Sequence, residues 1–288
     1  MSITSIPTSI PARVGVLGGG RMGAGIAHAF VLAGADVVVV ERDESAATAA
    51  RERVESSLKA SVDRGTTQDD LATLTGRLTV STDYDAFTGR GLVVEAVPED
   101  IGLKTTALTE VEKRLGANAW LATNTSSLSV DDLAANLRHP ERFCGLHFFN
   151  PVPASGLVEV VIGERTGDEL TGLAPAWVRE LDKTPVVVRD APGFASSRLG
   201  VTIGLEAIRM LEEGVASAED IDAAMVLGYK YPIGPLRLTD IVGLDVRLGI
   251  AEYLASTLGE RFTPPQLLRD KVAAGELGKK SGRGFYDW

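Results

Sequence analysis

VGVLGGGRMGAGIAHAFVLAGADVVVVERD, Val14 to Asp43, is the stretch that decides the fold. Its two valine-rich runs, Val14 to Leu17 and Val37 to Val40, carry no polar face and read as buried parallel strands. Between them lie a glycine turn and an apolar helical run. Gly18, Gly20 and Gly23 stand in G-x-G-x-x-G spacing where strand passes into helix. The spacing alone says little in a chain with 31 glycines; the strand before it and the helix after it give it meaning. The first glycine permits a tight turn, the second lets a pyrophosphate approach the backbone, and the third lets helix and strand pack closely. Arg21 and Met22 open the helix, whose N-terminus offers N–H groups and a positive dipole end to phosphates. Glu41 ends the second strand, where an acid would bind the adenosine ribose hydroxyls and repel a 2′-phosphate. NAD is therefore favoured over NADP, and a nicotinamide cofactor over a flavin, the other dinucleotide such a turn can hold.

Working outward, further strands are expected at Leu78 to Ser81, Leu92 to Val97, Trp120 to Thr123, Cys144 to Phe148, Val158 to Ile162 and Pro185 to Val188. Helical spacers separate most of them, including one with Ala47, Val54, Leu58 and Val62 apolar among charges. This is the grammar of an α/β domain with a doubly wound, Rossmann-type sheet. After Ala191 to Phe194 strand-like runs vanish. Helical periodicity covers Ser196 to Glu213 and Leu244 to Leu258, with a capped start at Ser217 and Asp220. We therefore expect a flexible arm over residues 1–12, an NAD-binding domain over 13–190, and an all-helical domain over 191–288.

Composition narrows the function. The chain has 288 residues, 44% hydrophobic and 24% charged, enough for two domains and a large core. A net charge of −10 argues against nucleic acid or an anionic membrane as partner. No run approaches a membrane span in length. The lone Cys144 has neither a disulfide partner nor a CxxC motif for a metal, so no metal is expected, and the cytoplasm is the natural compartment.

Chemistry should sit at the strand ends that border the crevice of such a sheet. Of three histidines, His28 lies in the first helix and His139 in a loop before Pro140. His147 lies near the end of a strand in GLHFFNPVPASGLVEVV, an apolar stretch that also holds Glu159. A neutral imidazole oriented by a carboxylate is a ready base for oxidising a hydroxyl group. A core histidine bonded to a backbone carbonyl is the bland alternative. Glu99 and Lys104, the hydroxyls and amide of Asn124 to Ser129, and Ser196 and Ser197 are further candidates.

Taken in order, LGGGRMGAGIA, EAVPED, ATNTSSLS, GLHFFNPVP, LVEVV, APGF, GPLRLTDIVGLD and GKKSGRGFY resemble the NAD-dependent L-3-hydroxyacyl-CoA dehydrogenase family, from about Val14 to Tyr286. The resemblance implies that His147 is the base and Glu159 its electrostatic partner. It places Ser126 by the substrate oxygen and nicotinamide. It assigns Gly18, Gly20, Gly23, Glu41, Glu99, Lys104, Ser126 and Lys280 to NAD, and Ser57 and Arg64 to coenzyme A. Arg64 stands where the family has a lysine. A helical domain that forms a homodimer is also implied. Two positions depart from the pattern: Ser197 replaces the family's substrate-side asparagine, and Ala154-Ser155-Gly156 replaces a bulkier segment. Both lie on the substrate side. A hydroxyacyl group held by an acyl carrier protein is the nearest rival substrate. A hydroxy acid without a thioester, and a cofactor-binding protein without turnover, are more distant rivals.

Overall fold

The computed structural model describes residues 9–288. The chain divides into two compact units, one up to Asp190 and one from Ala191 to Trp288. Most of the arm expected at 1–12 lies outside the described residues. Beyond it, Ile10 packs half-buried against the core and its N–H donates to Glu180 Oε2 at 2.9 Å.

The first unit holds an eight-stranded sheet with strands β1 (Arg13–Leu17), β2 (Asp36–Val40), β3 (Leu78–Ser81), β4 (Leu92–Glu95), β5 (Trp120–Thr123), β6 (Phe143–Phe148), β7 (Leu157–Ile162) and β8 (Thr184–Arg189). Their order is β3-β2-β1-β4-β5-β6-β7-β8. The chain turns one way from β1 to β2 and β3, then returns to place β4 on the other side, so β1 and β4 flank the switch point where ligands bind in such sheets. Strands β3 to β6 run parallel, but β7 is antiparallel to β6, and β8 then runs parallel to β7. That reversal is invisible in an apolar strand pattern, because only the short connection from β6 to β7 produces it.

Helices α1 (Arg21–Leu32), α2 (Glu44–Asp63), α3 (Leu71–Gly76), α4 (Ile101–Glu112), α5 (Val130–Ala134) and α6 (Asp168–Glu180) accompany the sheet. Val14, Val16, Val37 and Val39 pack with Ile26 and Phe30 of α1 and with Val54 and Leu58 of α2 in one core. The strand expected to reach Val97 stops at Glu95. Glu95 Oε1 accepts the Val97 N–H at 2.6 Å, which takes that group out of the ladder.

The second unit is helical: α7 (Ser196–Glu212), α8 (Ala218–Ala223), α9 (Pro235–Val242), α10 (Leu244–Leu258) and α11 (Gln266–Ala273). Its core joins Val201, Leu205 and Ile208 of α7 with Leu236, Leu244, Leu254 and Leu268. As the sequence suggests, Ser217 caps α8, accepting the Asp220 N–H at 3.1 Å. The C-terminal tail is tied to buried Asp240, whose carboxylate accepts the N–H groups of Phe285 and Tyr286 and the Trp288 indole N–H, each at 2.9 Å.

Candidate active site

The glycine turn is built as the motif requires. Gly18 takes φ +89°, a left-handed conformation that suits glycine, and a Cβ on Gly23 would stand 1.7 Å from the Gly18 carbonyl oxygen. Around Gly20 a Cβ would meet only open space, so this edge of the turn can take a ligand against its backbone. Side chains of Asp43, Asp70, Asp100 and Ser129 cap helices α2 to α5, whereas α1 starts at Gly20 with no side-chain cap. Its first N–H groups are thus not used up by the helix itself. Glu41 leans over the turn, its Oε1 accepting the Gly19 N–H at 2.7 Å. Arg21 and Met22 follow in the first turn of α1. These residues fit a dinucleotide, with a carboxylate where ribose hydroxyls belong.

Beside the turn, the ends of β4 and β5 carry a polar network. Lys104 is only 1% exposed, and its ammonium donates to Glu95 Oε1 at 2.7 Å and to the Val97 carbonyl at 3.1 Å. A second carboxylate, Glu99 Oε2, lies 3.3 Å away. Glu99 Oε1 gathers the loop after β5: the Thr125 hydroxyl donates at 2.6 Å, and the N–H groups of Ser126 and Ser127 at 2.8 and 3.1 Å. The Ser126 hydroxyl stands 3.2 Å from the same oxygen. Burial opposes ionisation of Glu99, but Lys104, the Thr125 hydroxyl and the Ser126 N–H together hold its carboxyl below its usual range. Glu95 is not among the residues that the sequence singles out. Its signal was an acid ending the apolar strand LVVE, and the Thr123 hydroxyl and Lys104 satisfy it completely enough to make it structural.

His147 and Glu159 face each other across β6 and β7, directly opposite in register. Opposed residues of an antiparallel pair share one face of the sheet. The His147 Nδ1 to Glu159 Oε2 distance is 2.8 Å, with His147 6% and Glu159 0% exposed. A carboxylate at Nδ1 fixes the proton there and makes Nε2 the basic nitrogen of the neutral ring. Their surroundings are braced from both sides. Asn124 Oδ1 accepts the Phe148 N–H at 2.8 Å, and the Lys183 ammonium donates to the Val152 and Ser155 carbonyls of the connecting loop at 2.7 and 2.6 Å.

A cavity of about 820 Å³ in the same unit is lined by Ser57, Arg64, Ser155 and Lys183, together with the buried pair His28 and Ser61. His28 Nε2 lies 2.8 Å from the Ser61 hydroxyl. Burial, reinforced by the charges of Arg64 and Lys183, pushes the His28 ring down to about 4. His139, by contrast, is exposed beside Glu141. Within the second unit, Ser197 lies half-buried in the first turn of α7, and Lys280 pairs with Asp245 at 2.5 Å.

Fold and geometry define a nicotinamide-dependent dehydrogenase acting on a hydroxyl group. Comparison with known proteins makes the class specific. Residues 13–191 match the 3-hydroxyacyl-CoA dehydrogenase NAD binding domain, and residues 193–288 match the C-terminal domain of the same enzymes. A 3-hydroxybutyryl-CoA dehydrogenase of Mycobacterium tuberculosis is 42% identical, covering 96% of this chain and 98% of its own. A probable 3-hydroxybutyryl-CoA dehydrogenase of Bacillus subtilis is 39% identical, with 96% and 97% covered. The crystal structure of (S)-3-hydroxybutyryl-CoA dehydrogenase from Ralstonia eutropha superposes with a TM-score of 0.92 at 39% identity, over 97% of this chain and 99% of that one. The chain belongs to the 3-hydroxyacyl-CoA dehydrogenase family, and it is an NAD-dependent oxidoreductase.

Proposed function

We propose that the protein reversibly oxidises a short-chain L-3-hydroxyacyl-CoA, such as 3-hydroxybutyryl-CoA, to the 3-oxoacyl-CoA. The buried His147–Glu159 pair at 2.8 Å carries the reading. NAD supplies the hydride acceptor. His147 Nε2 takes the hydroxyl proton as the C3 hydride leaves, and Glu159 stabilises the imidazolium and keeps the ring oriented. Ser126 and Ser197 hold the reacting oxygen. Gly18, Gly20, Arg21, Met22, Gly23 and Glu41 seat the cofactor, and the reading assigns Lys280 to it as well. Glu99 shapes the cofactor side through the Ser126 loop, and Lys104 contributes by fixing Glu99. Ser57 and Arg64 receive coenzyme A, and the guanidinium keeps the charge a phosphate needs.

The reading includes a homodimer through the helical unit, supported by exposed Leu199, Leu227 and Tyr229 there. It places the enzyme in the cytoplasm, where an unpaired Cys144 is at home. A panel of acyl-CoA substrates followed by NADH absorbance tests the core of it. NADH formation from short-chain L-3-hydroxyacyl-CoAs is expected. Turnover confined to a carrier-protein thioester would overturn the coenzyme A assignment, and a monomer by light scattering would overturn the dimer.

A further inference from the structure

Arg247 of α10 is 5% exposed, yet among the described residues it forms no ion pair, and its buried Nε has no hydrogen-bond partner. The chain has 39 acidic residues against 29 basic ones, so a carboxylate was readily available to cover it. Buried charges are ordinarily paired, and one left open points to a partner that arrives from outside.

The surroundings of the guanidinium show where that partner would sit. A Cβ on Gly204 would stand 3.9 Å from Arg247 Nε, and one on Gly200 would stand 3.3 Å from Nη1. The guanidinium therefore lies along α7, its Nε end at Gly204 and its Nη end toward the helix N-terminus. Any larger residue at Gly200 would press on it, so the glycines make its room. Ser197, Gly200 and Gly204 follow at spacings of three and four residues and share one face of α7. Gly204 is buried, while Gly200 and Ser197 are half-buried, so the face opens toward its N-terminal end. The positive end of the 17-residue α7 dipole lies at this end of the face and adds to the arginine's charge. Burial lowers the Arg247 pKa only to about 10, which leaves it charged at neutral pH. A cation and a hydroxyl on one face, at the positive end of a helix dipole, form a site for a small planar anion.

We propose that Arg247 receives a carboxylate at the far end of the acyl group, so that the enzyme prefers thioesters of short dicarboxylic acids. The proposal rests on the dehydrogenase reading above, with Ser197 beside the reacting oxygen. Three residues of helix, about 4.5 Å, separate Ser197 from Gly200 along the axis. A carboxylate three or four bonds beyond the hydroxyl carbon spans that interval.

Two six-carbon substrates differing only at the far end provide the test: 3-hydroxyadipyl-CoA, with a terminal carboxylate, and 3-hydroxyhexanoyl-CoA, with a methyl. Wild-type kcat/KM should favour the carboxylate by roughly 10- to 100-fold, the range of a charge-assisted hydrogen bond. Arg247→Met should erase the preference, mainly by raising KM for the adipyl substrate. Arg247→Lys should keep part of it. Equal or better turnover of the hexanoyl substrate by the wild type overturns the proposal while leaving the dehydrogenase reading intact. That comparison needs no variant to fold. Absence of turnover with every hydroxyacyl thioester, 3-hydroxybutyryl-CoA included, overturns the parent reading and the proposal with it.

Discussion

Lys104 in the first unit and Arg247 in the second are both buried cations, 1% and 5% exposed, and the protein treats them in opposite ways. Lys104 meets two carboxylates and a carbonyl and forms a knot that holds the ends of β4 and β5 in place. Arg247 forms no ion pair among the described residues, its Nε has no hydrogen-bond partner, and its guanidinium lies beside Gly200 and Gly204. A compensated buried charge serves the fold, because its field is spent on neighbours that the chain itself supplies. An uncompensated one keeps its field for a ligand. His28 shows a third solution: a buried base that gives up its charge and stays neutral.

The largest expected effect concerns a pair that combines both uses. His147→Ala should lower kcat by roughly 10²- to 10⁴-fold, the usual worth of a general base. NAD affinity, read by fluorescence titration, should hardly change; near-normal turnover would return His147 to a core role. Next comes Lys104→Met, which strands Glu95 as a buried, uncompensated carboxylate. It should cost about 3–5 kcal/mol in denaturant unfolding. Adding Glu95→Gln should restore part of that loss, since the stranded charge is then gone.

The His28 prediction concerns pH. Its folded pKa, about 4, lies below the ordinary value of 6.5, so the unfolded chain binds the proton first as pH falls. The stability held by the neutral ring is complete above about 6.5 and drains away between there and about 4, by at most about 3 kcal/mol. His28→Gln should flatten that part of the stability–pH curve. An unchanged slope would mean that other groups carry it. The smallest effect belongs to Arg247→Met. Removing an unpaired buried charge should leave stability within about 1 kcal/mol of wild type, or raise it. A loss as large as that of Lys104→Met would show that Arg247 holds the fold together, and the contrast between the two cations would collapse.

Much of the fold is legible in the sequence because its signals are local. A valine run bounded by turns, a glycine spacing between strand and helix, and a serine cap followed by an acid each depend on residues close in the chain. The glycine turn and α8 therefore form where the residues indicate. β4 is shorter than its apolar run suggests because a side chain, Glu95, captures the backbone group that would have extended the strand. Glu95 itself carries no distinguishing signal. One acid at a strand end looks the same whether it faces water or a lysine brought in from α4.

By itself, the sequence determined the parallel β1–α1–β2 unit, the preference for NAD at Glu41, and the presence of one imidazole and one carboxylate in an apolar stretch. Only the tertiary structure decided that these two meet. The antiparallel turn of β7 sets Glu159 opposite His147, and a shift of one residue would have sent them to opposite faces. Likewise, Gly200, Gly204 and Arg247 carry no joint signal in sequence. Periodicity records which residues lie on one face of an element, but the pairing of charges depends on which faces are brought together, and that is settled by packing between distant segments.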